Sequence, residues 1–523
     1  MPRAIRAQKP AKSLEGRSAT AKPRAKTKNA RSGKTAPKHG GKSIRSTSPR
    51  PVGARAAAAP TQVLIVNMIP RTLSGETNQD SEPTLAVNPV NPQQIVGTAF
   101  TPDPLGGETA PVFISLDGGN TWSLNSIVPS QTQTGDICVG FGRTDGKLYA
   151  GILRVPSADT RLNILRANDF QSADPMTVLV DRLGVDQPFV QTMAISVGTG
   201  KGKDRVYVGN NDFGAQNGQT STIDFSLNAA TAKAKFKSVR IESRQTGGQN
   251  GPQVRPACHP DGPVYLAYMG WRSSTGSWPA NTLVVTADLV VVRDDAGGNS
   301  TKPFQALRDP DDNKAGRRVV QSISFPFHHD GGSVPGQQRL GGDVAIAVNP
   351  SNSGDVYIAW ADLRQNVYTV HVRRSTDRGV TWSATDLRTL PHATNPALAI
   401  NSSGIVGLLY QQLTGIGASL RWVTHFERTS DGVNWNDLIL CTAPANEPRL
   451  LFSPYLGDYD FVLAVENTFY GIFSANNTPD KSHFPNGVVY QRNADFNTRR
   501  LLDTDNTTPV AISIDPFFFK VSA

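Results

Sequence analysis

The turn Ser115-Leu-Asp-Gly-Gly-Asn-Thr-Trp122 returns at Ser375-Thr-Asp-Arg-Gly-Val-Thr-Trp382 with Ser, Asp, Gly, Thr and Trp at the same positions. A copy one residue shorter is Thr429-Ser-Asp-Gly-Val-Asn-Trp435, and Arg293-Asp-Asp-Ala-Gly-Gly298 is a degenerate one. In such a turn the Asp carboxylate accepts backbone N–H bonds, Gly supplies a positive φ, and Trp packs on the next strand. Each copy therefore predicts a β-hairpin with a structural role.

A longer pattern surrounds these turns and occurs seven times after residue 80. An alternating apolar strand is followed by a turn and a second strand, as in Asp343-Val-Ala-Ile-Ala-Val-Asn-Pro350 and then Asp355-Val-Tyr-Ile-Ala-Trp360. The copies begin near residues 83, 137, 187, 253, 343, 395 and 458, at spacings of about 50 to 90 residues. Strand pairs that repeat and close into a ring form a β-propeller, which has only short, protected edges.

The composition agrees with many short strands joined by turns. Of 523 residues, 38% are apolar and 18% are charged, and the chain contains 47 Gly and 37 Pro. This profile excludes a coiled coil or a helix bundle, which would need Ala, Glu, Lys and Leu in helical periods. No run reaches the roughly 18 apolar residues that a membrane-spanning helix needs, so we expect no membrane span.

Residues 1–60 differ from the rest of the chain in their charge. They contain sixteen Lys and Arg but one acidic residue, Glu15, while the whole chain has a formal net charge of +10. Because such a segment has little apolar surface to bury, we expect a disordered basic tail before a propeller at 62–523. The tail is interpreted as a polyanion-binding segment, a tether or an unstructured leader. It lacks the apolar region of a secretory signal peptide, so a cytoplasmic location and export by another route are the alternatives.

The sequence predicts no metal and no cofactor. Cys138, Cys258 and Cys441 are far apart and odd in number, which gives neither a disulfide framework nor a metal-binding spacing. His328-His329-Asp330 lacks a matching ligand pattern elsewhere in the chain. Gly198–Asp204 is followed by a strand, whereas a phosphate-binding loop needs a helix there.

The turn pattern Ser-x-Asp-x-Gly-x-Thr-Trp resembles the Asp-box, or bacterial neuraminidase repeat, of the sialidase superfamily. Ser81-Glu-Pro-Thr-Leu-Ala-Val-Asn-Pro89 and Phe469-Tyr-Gly-Ile-Phe-Ser-Ala-Asn-Asn477 are similar to segments of its bacterial branch. The resemblance extends over 62–523 and implies an all-β, sialidase-like β-propeller with four-stranded blades. Active members usually have six blades, whereas seven repeat starts are present here. Either the ring has seven blades, or one start is shared where Val63–Val66 or the C-terminal strand closes it.

The loops that enter the innermost strands of a propeller converge on one mouth of its central channel. Charged residues and a tyrosine occupy these entries: Glu82, Asp136, Asp186, Arg255, Arg339, Asp343, Arg449, Asp458 and Tyr459. An Arg side chain binds a sugar carboxylate through two parallel hydrogen bonds, and a carboxylic acid protonates a leaving oxygen. We therefore expect a glycan site at this mouth, with the polar segment 299–340 as an insertion that shapes access to it.

The resemblance also implies roles for particular residues. Sialidases bind the substrate carboxylate with three arginines, here Arg71, Arg255 and Arg449 in chain order, and Asp186 is expected as a further substrate-binding residue. The other roles are a nucleophile (Tyr459 or Tyr455), its partner (Glu447) and an acid/base (Asp103 or Asp80). The order Ile69-Pro70-Arg71 departs from the Arg-Ile-Pro motif that usually carries the first arginine.

Two functions of different classes follow. The first is an exo-glycosidase of sialidase type that releases terminal acidic sugars through a covalent tyrosyl intermediate. The second is a non-catalytic propeller that binds a glycan, a glycoprotein or another protein, with the basic tail as a tether, a leader or a polyanion-binding segment.

Overall fold

The structure of the chain is a computed structural model. It describes residues 61–522 except for 101–108, 130–132, 156–159, 197–200, 215–217, 248, 252–253, 278–281, 328–342 and 449–455. The described residues belong to one compact unit that spans 58–523. The expected basic tail, residues 1–60, lies outside them.

The first strand, β1 (Gln62–Asn67), precedes six antiparallel sheets whose four strands follow one another in sequence. Blades one to three contain β2 (Ser81–Val87), β3 (Ile95–Phe100), β4 (Val112–Ser115), β5 (Ser123–Leu124), β6 (Thr134–Phe141), β7 (Leu148–Arg154), β8 (Arg161–Ala167), β9 (Thr177–Leu183), β10 (Val185–Ala194), β11 (Asp204–Asp212), β12 (Ser221–Ser226) and β13 (Lys237–Arg240). Blades four to six contain β14 (Arg255–Cys258), β15 (Val264–Thr275), β16 (Val284–Asp294), β17 (Arg317–Pro326), β18 (Val344–Asn349), β19 (Asn352–Arg364), β20 (Val367–Ser375), β21 (Arg388–Pro391), β22 (Ala393–Ile400), β23 (Val406–Thr414), β24 (Arg421–Thr429) and β25 (Asn436–Pro444).

The seventh blade joins the two ends of the propeller. Its strands are β26 (Phe461–Val465), β27 (Thr468–Asn476), β28 (Val489–Tyr490) and β32 (Ile514–Ser522), and β1 lies between β32 and β28. Strand β1 is antiparallel to β32, with Val63 opposite Val521. The N-terminal and C-terminal strands thus close the ring within one sheet, and the propeller predicted from the repeats is confirmed with seven blades.

The innermost strands of the blades form a closed ring. Each of β2, β6, β10, β14, β18 and β22 contacts the inner strand of the next blade, and β26 contacts β2. All seven inner strands run in the same direction through the ring, because each blade repeats the same antiparallel order. Their starts therefore meet at one end of the central channel, as a propeller requires.

Packing between the blades explains why the strands are apolar on both faces. Phe517, Phe518 and Phe519 follow one another in β32 and are all fully buried. Phe518 packs edge-on against Trp122 of blade one at 5.3 Å between ring centroids, while Phe519 lies 5.2 Å from Phe426 of blade six. Consecutive strand residues point to opposite faces, so a blade between two neighbours buries both.

The repeated turns form the expected hairpins. They connect the third and fourth strands of blades one, five and six. The Asp117 carboxylate accepts a hydrogen bond from the Thr121 N–H at 2.9 Å, and Asp377 accepts the same bond from Thr381 at 2.9 Å. Gly119 has a φ of 94°, which favours glycine at this position. The two turns have the same geometry because they share the same residues at the same positions.

Blade seven carries an insertion between β28 and β32. It contains a three-stranded sheet of β29 (Ala494–Asp495), β30 (Arg500–Leu502) and β31 (Pro509–Val510). Short 3-10 helices are Arg71–Leu73, Gly417–Ser419 and Lys481–His483. The expectation that 299–340 is one insertion is corrected, because Arg317–Pro326 is β17, the outer strand of blade four. Residues 328–342, including His328, His329, Asp330 and Arg339, lie outside the described part of the chain.

Candidate functional site

Three inner strands begin with the same backbone irregularity. Glu82, Gln187 and Asn395 have φ values of 50°, 54° and 55°, and each precedes a proline. The register between the first two strands of the blade shifts at each of these positions, which marks a β-bulge. Left-handed backbone at a residue other than Gly is strained and persists only where surrounding contacts hold it. Here the three side chains are buried and hydrogen-bonded at the channel entry.

Ionisable residues at the starts of five inner strands come together at this end of the channel. We call them the mouth cluster: Glu82, Asp136, Arg255, Asp343, Tyr459 and Asp460. Each has an exposed fraction of 7% or less. Four carboxyl groups, one guanidinium and one phenol therefore share a buried environment, where electrostatic interactions are stronger than in water.

Tyr459 links blade seven to blade two. Its hydroxyl lies 3.2 Å from Oδ1 of Asp136 and donates a hydrogen bond to that carboxylate. Next to it, the Asp458 N–H donates to Oε1 of Glu82 at 3.2 Å. These bonds join residues more than 300 positions apart in sequence because the ring closes between blades seven and one.

Arg255 lies between two aromatic rings. Its guanidinium carbon is 4.0 Å from the centroid of Phe189 and 5.1 Å from that of Tyr459. The Nε atom donates to the Val344 carbonyl of the next blade at 3.0 Å. The terminal nitrogens donate no hydrogen bond to the part of the chain that the structure describes. Burial lowers the pKa of Arg255, while Tyr459, Cys138, Asp343 and Asp136 raise it.

Within the mouth cluster, the pKa of the Asp343 carboxyl group bears most directly on acid catalysis. Burial, followed by the negative charge of Asp458, raises the pKa of Asp343 to about 7. Oδ2 accepts hydrogen bonds from the Thr394 hydroxyl at 2.9 Å and from the Asn395 N–H at 3.1 Å, which oppose that rise. A carboxyl group with a pKa near neutrality is suited to general acid catalysis.

Asp460 lines a cavity of about 60 Å³ together with Arg255 and Phe189. Its Oδ1 accepts a hydrogen bond from the Ser474 N–H at 3.3 Å, whereas its buried Oδ2 has no partner among the described residues. Burial and the nearby Asp343 raise the pKa of Asp460 well above its ordinary value. The protonated form of Asp460 is therefore favoured more than in an exposed aspartate.

Tyr459 is held in its neutral form. Burial raises its pKa well above the ordinary value, and the charges of Asp136 and Glu82 add to the rise, while Arg255 opposes it. A free phenolate is therefore disfavoured in this environment. Any nucleophilic role of Tyr459 requires that its proton moves to a neighbouring base as it attacks, and Asp136 is in position to receive it.

The structure places the other predicted residues as follows. Asp103 and Arg449, like Tyr455, lie outside the described residues. Arg71 is exposed in the Arg71–Leu73 helix, and its side chain forms no hydrogen bond or ion pair with the residues that the structure describes. Asp186 is half-buried, and its carboxylate accepts a bond from the adjacent Gln187 N–H at 2.8 Å.

Glu447 lies in a different place from the Tyr459 side chain that it was expected to assist. It is exposed and lines a cavity of about 430 Å³ that we call the Glu447 pocket. The side chains that matter in this pocket are Arg421, Glu447, Thr478, Asp480, His483 and Arg499. The carboxylate partner of Tyr459 is instead Asp136, whose position in blade two no local sequence pattern connects with Tyr459.

A second group of buried carboxyl groups surrounds Arg492. Oxygen atoms of Glu76, Asp80 and Asp515 lie within 4.8 Å of one another, a spacing that could suit a cation. The Arg492 guanidinium is fully buried among them, 3.0 Å from Asp515 and 3.7 Å from Glu76. Burial, followed by the charge of Asp515, raises the pKa of Glu76 to about 7. A side chain of the chain itself thus supplies the positive charge, and Asp80 belongs to this group rather than to the mouth cluster.

The far end of the central channel is a separate cavity of about 450 Å³. All seven inner strands line it with mostly apolar residues near their C-terminal ends, such as Val87, Val348 and Val465. Arg143 and Glu466 are the charged residues that line it in the described part of the chain. The polar mouth cluster and this cavity therefore occupy opposite ends of the channel.

Comparisons with known proteins give likenesses in structure only. No model of a known protein family matches the sequence, and no curated protein matches it. An α-L-arabinofuranosidase from Fusarium graminearum, in complex with an iminosugar inhibitor, is 12% identical with a TM-score of 0.40, over 66% of this chain and 93% of that one. The Penicillium chrysogenum α-L-arabinanase complexed with arabinobiose is 11% identical with a TM-score of 0.39, over 87% of this chain and 98% of that one.

A leech intramolecular trans-sialidase is 12% identical with a TM-score of 0.36, and the match covers 66% of each chain. At such identities and TM-scores these likenesses assign no activity, substrate or residue role to this chain. Among the helices in the described ranges, none has the length and apolar character that crossing a membrane requires.

Two residues at the channel entry are not predicted from the sequence, namely Asp460 of the mouth cluster and Asn395 beside it. The pattern singles out the adjacent Asp458 and Tyr459 rather than Asp460, although all three precede the same inner strand. For Asn395 the repeat predicts only the start of a strand. The signal for it was present, because Asn395-Pro396 occupies the same place in its repeat as Glu82-Pro83.

Proposed function

We propose that the protein is a glycan-directed β-propeller that hydrolyses the bond to a terminal acidic sugar at the mouth cluster. The observation that carries this proposal is the contact between Tyr459 and Asp136 at 3.2 Å, with the Arg255 guanidinium 5.1 Å from the same phenol ring. A nucleophile beside a base, with a cation next to both, is the arrangement that covalent cleavage of an anionic glycoside needs.

In the proposed reaction the Tyr459 oxygen attacks the anomeric carbon while its proton passes to the Asp136 carboxylate. The glycosidic bond breaks, and the leaving oxygen takes a proton from Asp343, the described acid whose pKa of about 7 suits that task. The Asp343 carboxylate then takes a proton from a water molecule, whose oxygen attacks the anomeric carbon. The bond from that carbon to the Tyr459 oxygen breaks, and Asp136 returns its proton to the phenolic oxygen. The anomeric configuration is retained because two displacements occur.

Substrate binding is assigned to the arginines. The Arg255 side chain is anchored through Nε to the Val344 carbonyl, which leaves its terminal nitrogens for two parallel hydrogen bonds to a sugar carboxylate. Arg449 stays the proposed second arginine and Asp103 the alternative acid, while Arg71 and Asp186 are the weaker members of the predicted set. Neither Arg71, in its exposed 3-10 helix, nor Asp186, which bonds to the adjacent Gln187 N–H, has a described contact with Tyr459.

The test is turnover of a fluorogenic sialoside by the full chain and by Tyr459→Phe and Asp136→Asn variants. We expect the wild type to release the fluorophore and each variant to be at least about 100-fold slower, in the range that loss of acid/base assistance gives. Arg499→Gln, in the Glu447 pocket, is the matched control and should keep its rate. Folded wild-type protein without turnover, or an active Tyr459→Phe variant, would contradict the proposal.

A non-catalytic binding propeller is the second candidate, and a specific observation favours it. The members of the mouth cluster are almost completely buried and bond from one blade to another, as a set of structural contacts would. In that case a glycan array probed with the full chain would show retention of acidic glycans without turnover. Replacement of Arg255 by Lys, which loses the two-pronged geometry, would reduce that retention.

The basic segment 1–60 keeps its proposed role as a tether or polyanion-binding tail. A gel-shift assay of the full chain with DNA, beside a chain that lacks residues 1–60, tests this. Salt-sensitive retention that disappears with the segment supports polyanion contact through counterion release. Equal migration of both chains would leave a leader or tether.

A further inference from the structure

The lysines of the propeller are concentrated in blade three. Of the ten lysines after residue 60, five lie in two short segments of this blade. Lys201 and Lys203 lie between β10 and β11, and Lys233, Lys235 and Lys237 lie in the turn before β13 and at its first residue. Residues 61–523 contain 37 Lys and Arg but 42 Asp and Glu, a formal net charge of −5. The concentration of lysines is therefore local and does not follow from a basic composition.

Both segments lie at the end of the channel opposite the mouth cluster. Strand β10 is the inner strand of blade three, and β11, β12 and β13 follow it in antiparallel order. The β10–β11 and β12–β13 turns therefore share the end of the blade at which β10 finishes. A basic surface at this end is separate from the site that we propose for hydrolysis.

A sixth lysine joins them from blade four. Lys237 is opposite Phe225, and Phe225 packs edge-on against Phe304 of blade four at 5.8 Å between ring centroids. Directly opposite residues share a face of a sheet, so the loop that contains Phe304 brings Lys302 to the same side as Lys237. We call the six residues the blade-three patch: Lys201, Lys203, Lys233, Lys235, Lys237 and Lys302.

The backbone of the patch is held in place while its side chains are free. The Lys235 N–H donates to Oδ1 of Asn228 at 3.1 Å, and Arg166 of blade two donates to the Thr231 carbonyl at 2.7 Å. All six lysines are exposed, and their ammonium groups form no hydrogen bond or ion pair with the residues that the structure describes. Because like charges held close together repel one another, the patch favours an anionic partner.

The rest of this end of the propeller disfavours a flat anionic surface. The repeated turns of blades five and six lie at the same end, and their carboxylates, Asp377 and Asp431, are exposed. A membrane that covers this end would meet these negative charges as well as the lysines. Between the lysines the chain also offers Gly202 and Ala234, which supply no large apolar side chain for insertion.

The width of the patch disfavours a nucleic acid duplex. Packed sheets lie about 10 Å apart, whereas the major groove of a duplex alone is about 12 Å wide. A duplex on blade three would reach the exposed Asp169 of blade two and Asp261 of blade four. Single strands bind through exposed aromatic side chains. Phe236, the aromatic residue between the lysines, is half-buried against the core of blades two and three.

We propose that the blade-three patch binds an acidic polysaccharide, whose sulfate or carboxylate groups pair with the lysines. A single sugar chain is narrow enough to follow one blade and to meet ammonium groups from both turns without reaching the carboxylates of the neighbouring blades. Lysine clusters of this size are typical of heparin-binding surfaces, and the flexible lysine side chain adapts to unevenly spaced anionic groups. This site goes beyond the proposed hydrolysis, because it uses no residue of the mouth cluster.

Fluorescence anisotropy of labelled heparin titrated with the full chain tests the proposal. We expect saturable binding that weakens between about 50 mM and 200 mM salt. A triple variant, Lys233→Gln, Lys235→Gln and Lys237→Gln, should bind heparin at least about tenfold more weakly, because three ammonium groups near the polyanion are lost. The segment 1–60 is present in both chains, so the difference between them reports on blade three.

A matched control removes the same charge from exposed positions of blade seven: Lys481→Gln, Arg499→Gln and Arg500→Gln. Its heparin affinity should change by less than about twofold, because salt screens charges that lie far from the bound chain. Both variants are expected to fold, since the replaced side chains are exposed, and urea unfolding curves check this. Tyr459→Phe should bind heparin as the wild type does, so failure of the proposed hydrolysis leaves this test intact.

The proposal is overturned if heparin fails to bind the wild type or if the blade-three variant binds it equally well. It is also overturned if the blade-seven control loses as much affinity, since net charge alone would then account for binding. Duplex DNA or phosphatidylserine vesicles serve as competing probes. If either binds the wild type more tightly than heparin and loses that binding in the blade-three variant, the patch is a nucleic-acid or membrane surface instead.

Discussion

The mouth cluster and the Glu447 pocket contain the same kinds of side chain in opposite states. In the mouth cluster Tyr459, Asp343 and Arg255 bond to partners in other blades and are almost completely buried. In the pocket, Arg499 is largely exposed and the Thr478 hydroxyl has no partner within the described ranges. The difference teaches that residue type alone does not separate a buried polar network from charged side chains around an open surface pocket.

The physical reason is where each residue stands in the ring. Inner-strand starts are forced together by closure of the propeller, so their polar groups must pair with one another when they are removed from water. Exposed side chains of the Glu447 pocket, such as Glu447 and Arg499, keep contact with water and are under no such constraint. Substitutions in the mouth cluster should therefore change stability and turnover together, whereas substitutions of exposed side chains in the pocket should change both only slightly.

The largest difference in stability is expected between the variants Arg255→Met and Arg499→Met. Removal of the buried guanidinium takes away the cation that the described members of the mouth cluster share, so the free energy of unfolding should fall by about 3–5 kcal/mol. The same substitution at Arg499, whose side chain is 64% exposed, should cost about 0.5 kcal/mol or less. Urea unfolding curves of both variants measure the difference, and equal losses would break the contrast.

The next largest effect is the pH dependence of stability, measured for the wild type beside Asp343→Asn. The folded-state pKa of about 7 lies above the ordinary value of 3.8, so between these pH values the folded chain binds more protons than the unfolded chain. The contribution of Asp343 to stability therefore decreases as the pH rises toward 7, by no more than about 1.4 kcal/mol per pH unit. Unfolding free energies measured from pH 5 to pH 8 should fall more steeply for the wild type than for Asp343→Asn. Parallel curves would show that Asp343 is not titrating in this range.

The smallest effect concerns two buried threonine hydroxyls. Thr394→Val removes a hydrogen bond to the Asp343 carboxyl and should cost about 1 kcal/mol, since it leaves a buried acceptor with one partner fewer. Thr478→Val removes a hydroxyl that has no partner in the described chain and should change stability by less than about 0.5 kcal/mol. Thermal unfolding of the pair measures this. A Thr478→Val loss as large as that of Thr394→Val would mean that the pocket is part of the structural network.

The fold could be predicted from the sequence because the turn and strand patterns that indicate it are local. The turn residues Ser115 to Trp122 determine a hairpin by themselves, and the alternation of the inner strands repeats with each blade. The sequence alone does not decide between six and seven blades, because ring closure depends on contacts between distant parts of the chain. Strand β1 reaches β32 across almost the whole chain, and only the folded ring shows that both belong to the seventh blade.

The candidate site was predicted in part for the same reason. Positions before the inner strands could be read from the repeats, which is why Tyr459, Arg255 and Asp343 were singled out together. Their partners could not be predicted, since Tyr459 meets Asp136 across 323 positions in sequence, and the family resemblance points to Glu447 instead. Arg492 gave no signal at all, because it lies in the insertion of blade seven and its carboxylate partners come from both ends of the chain.

A crystal structure of the full chain soaked with N-acetylneuraminate tests the central claim most directly. The account predicts the sugar at the mouth cluster, with its carboxylate on the terminal nitrogens of Arg255 and its anomeric carbon facing the Tyr459 hydroxyl. A sugar bound only at the Glu447 pocket, or absent from a mouth in which the Tyr459–Asp136 hydrogen bond is unchanged, would contradict it.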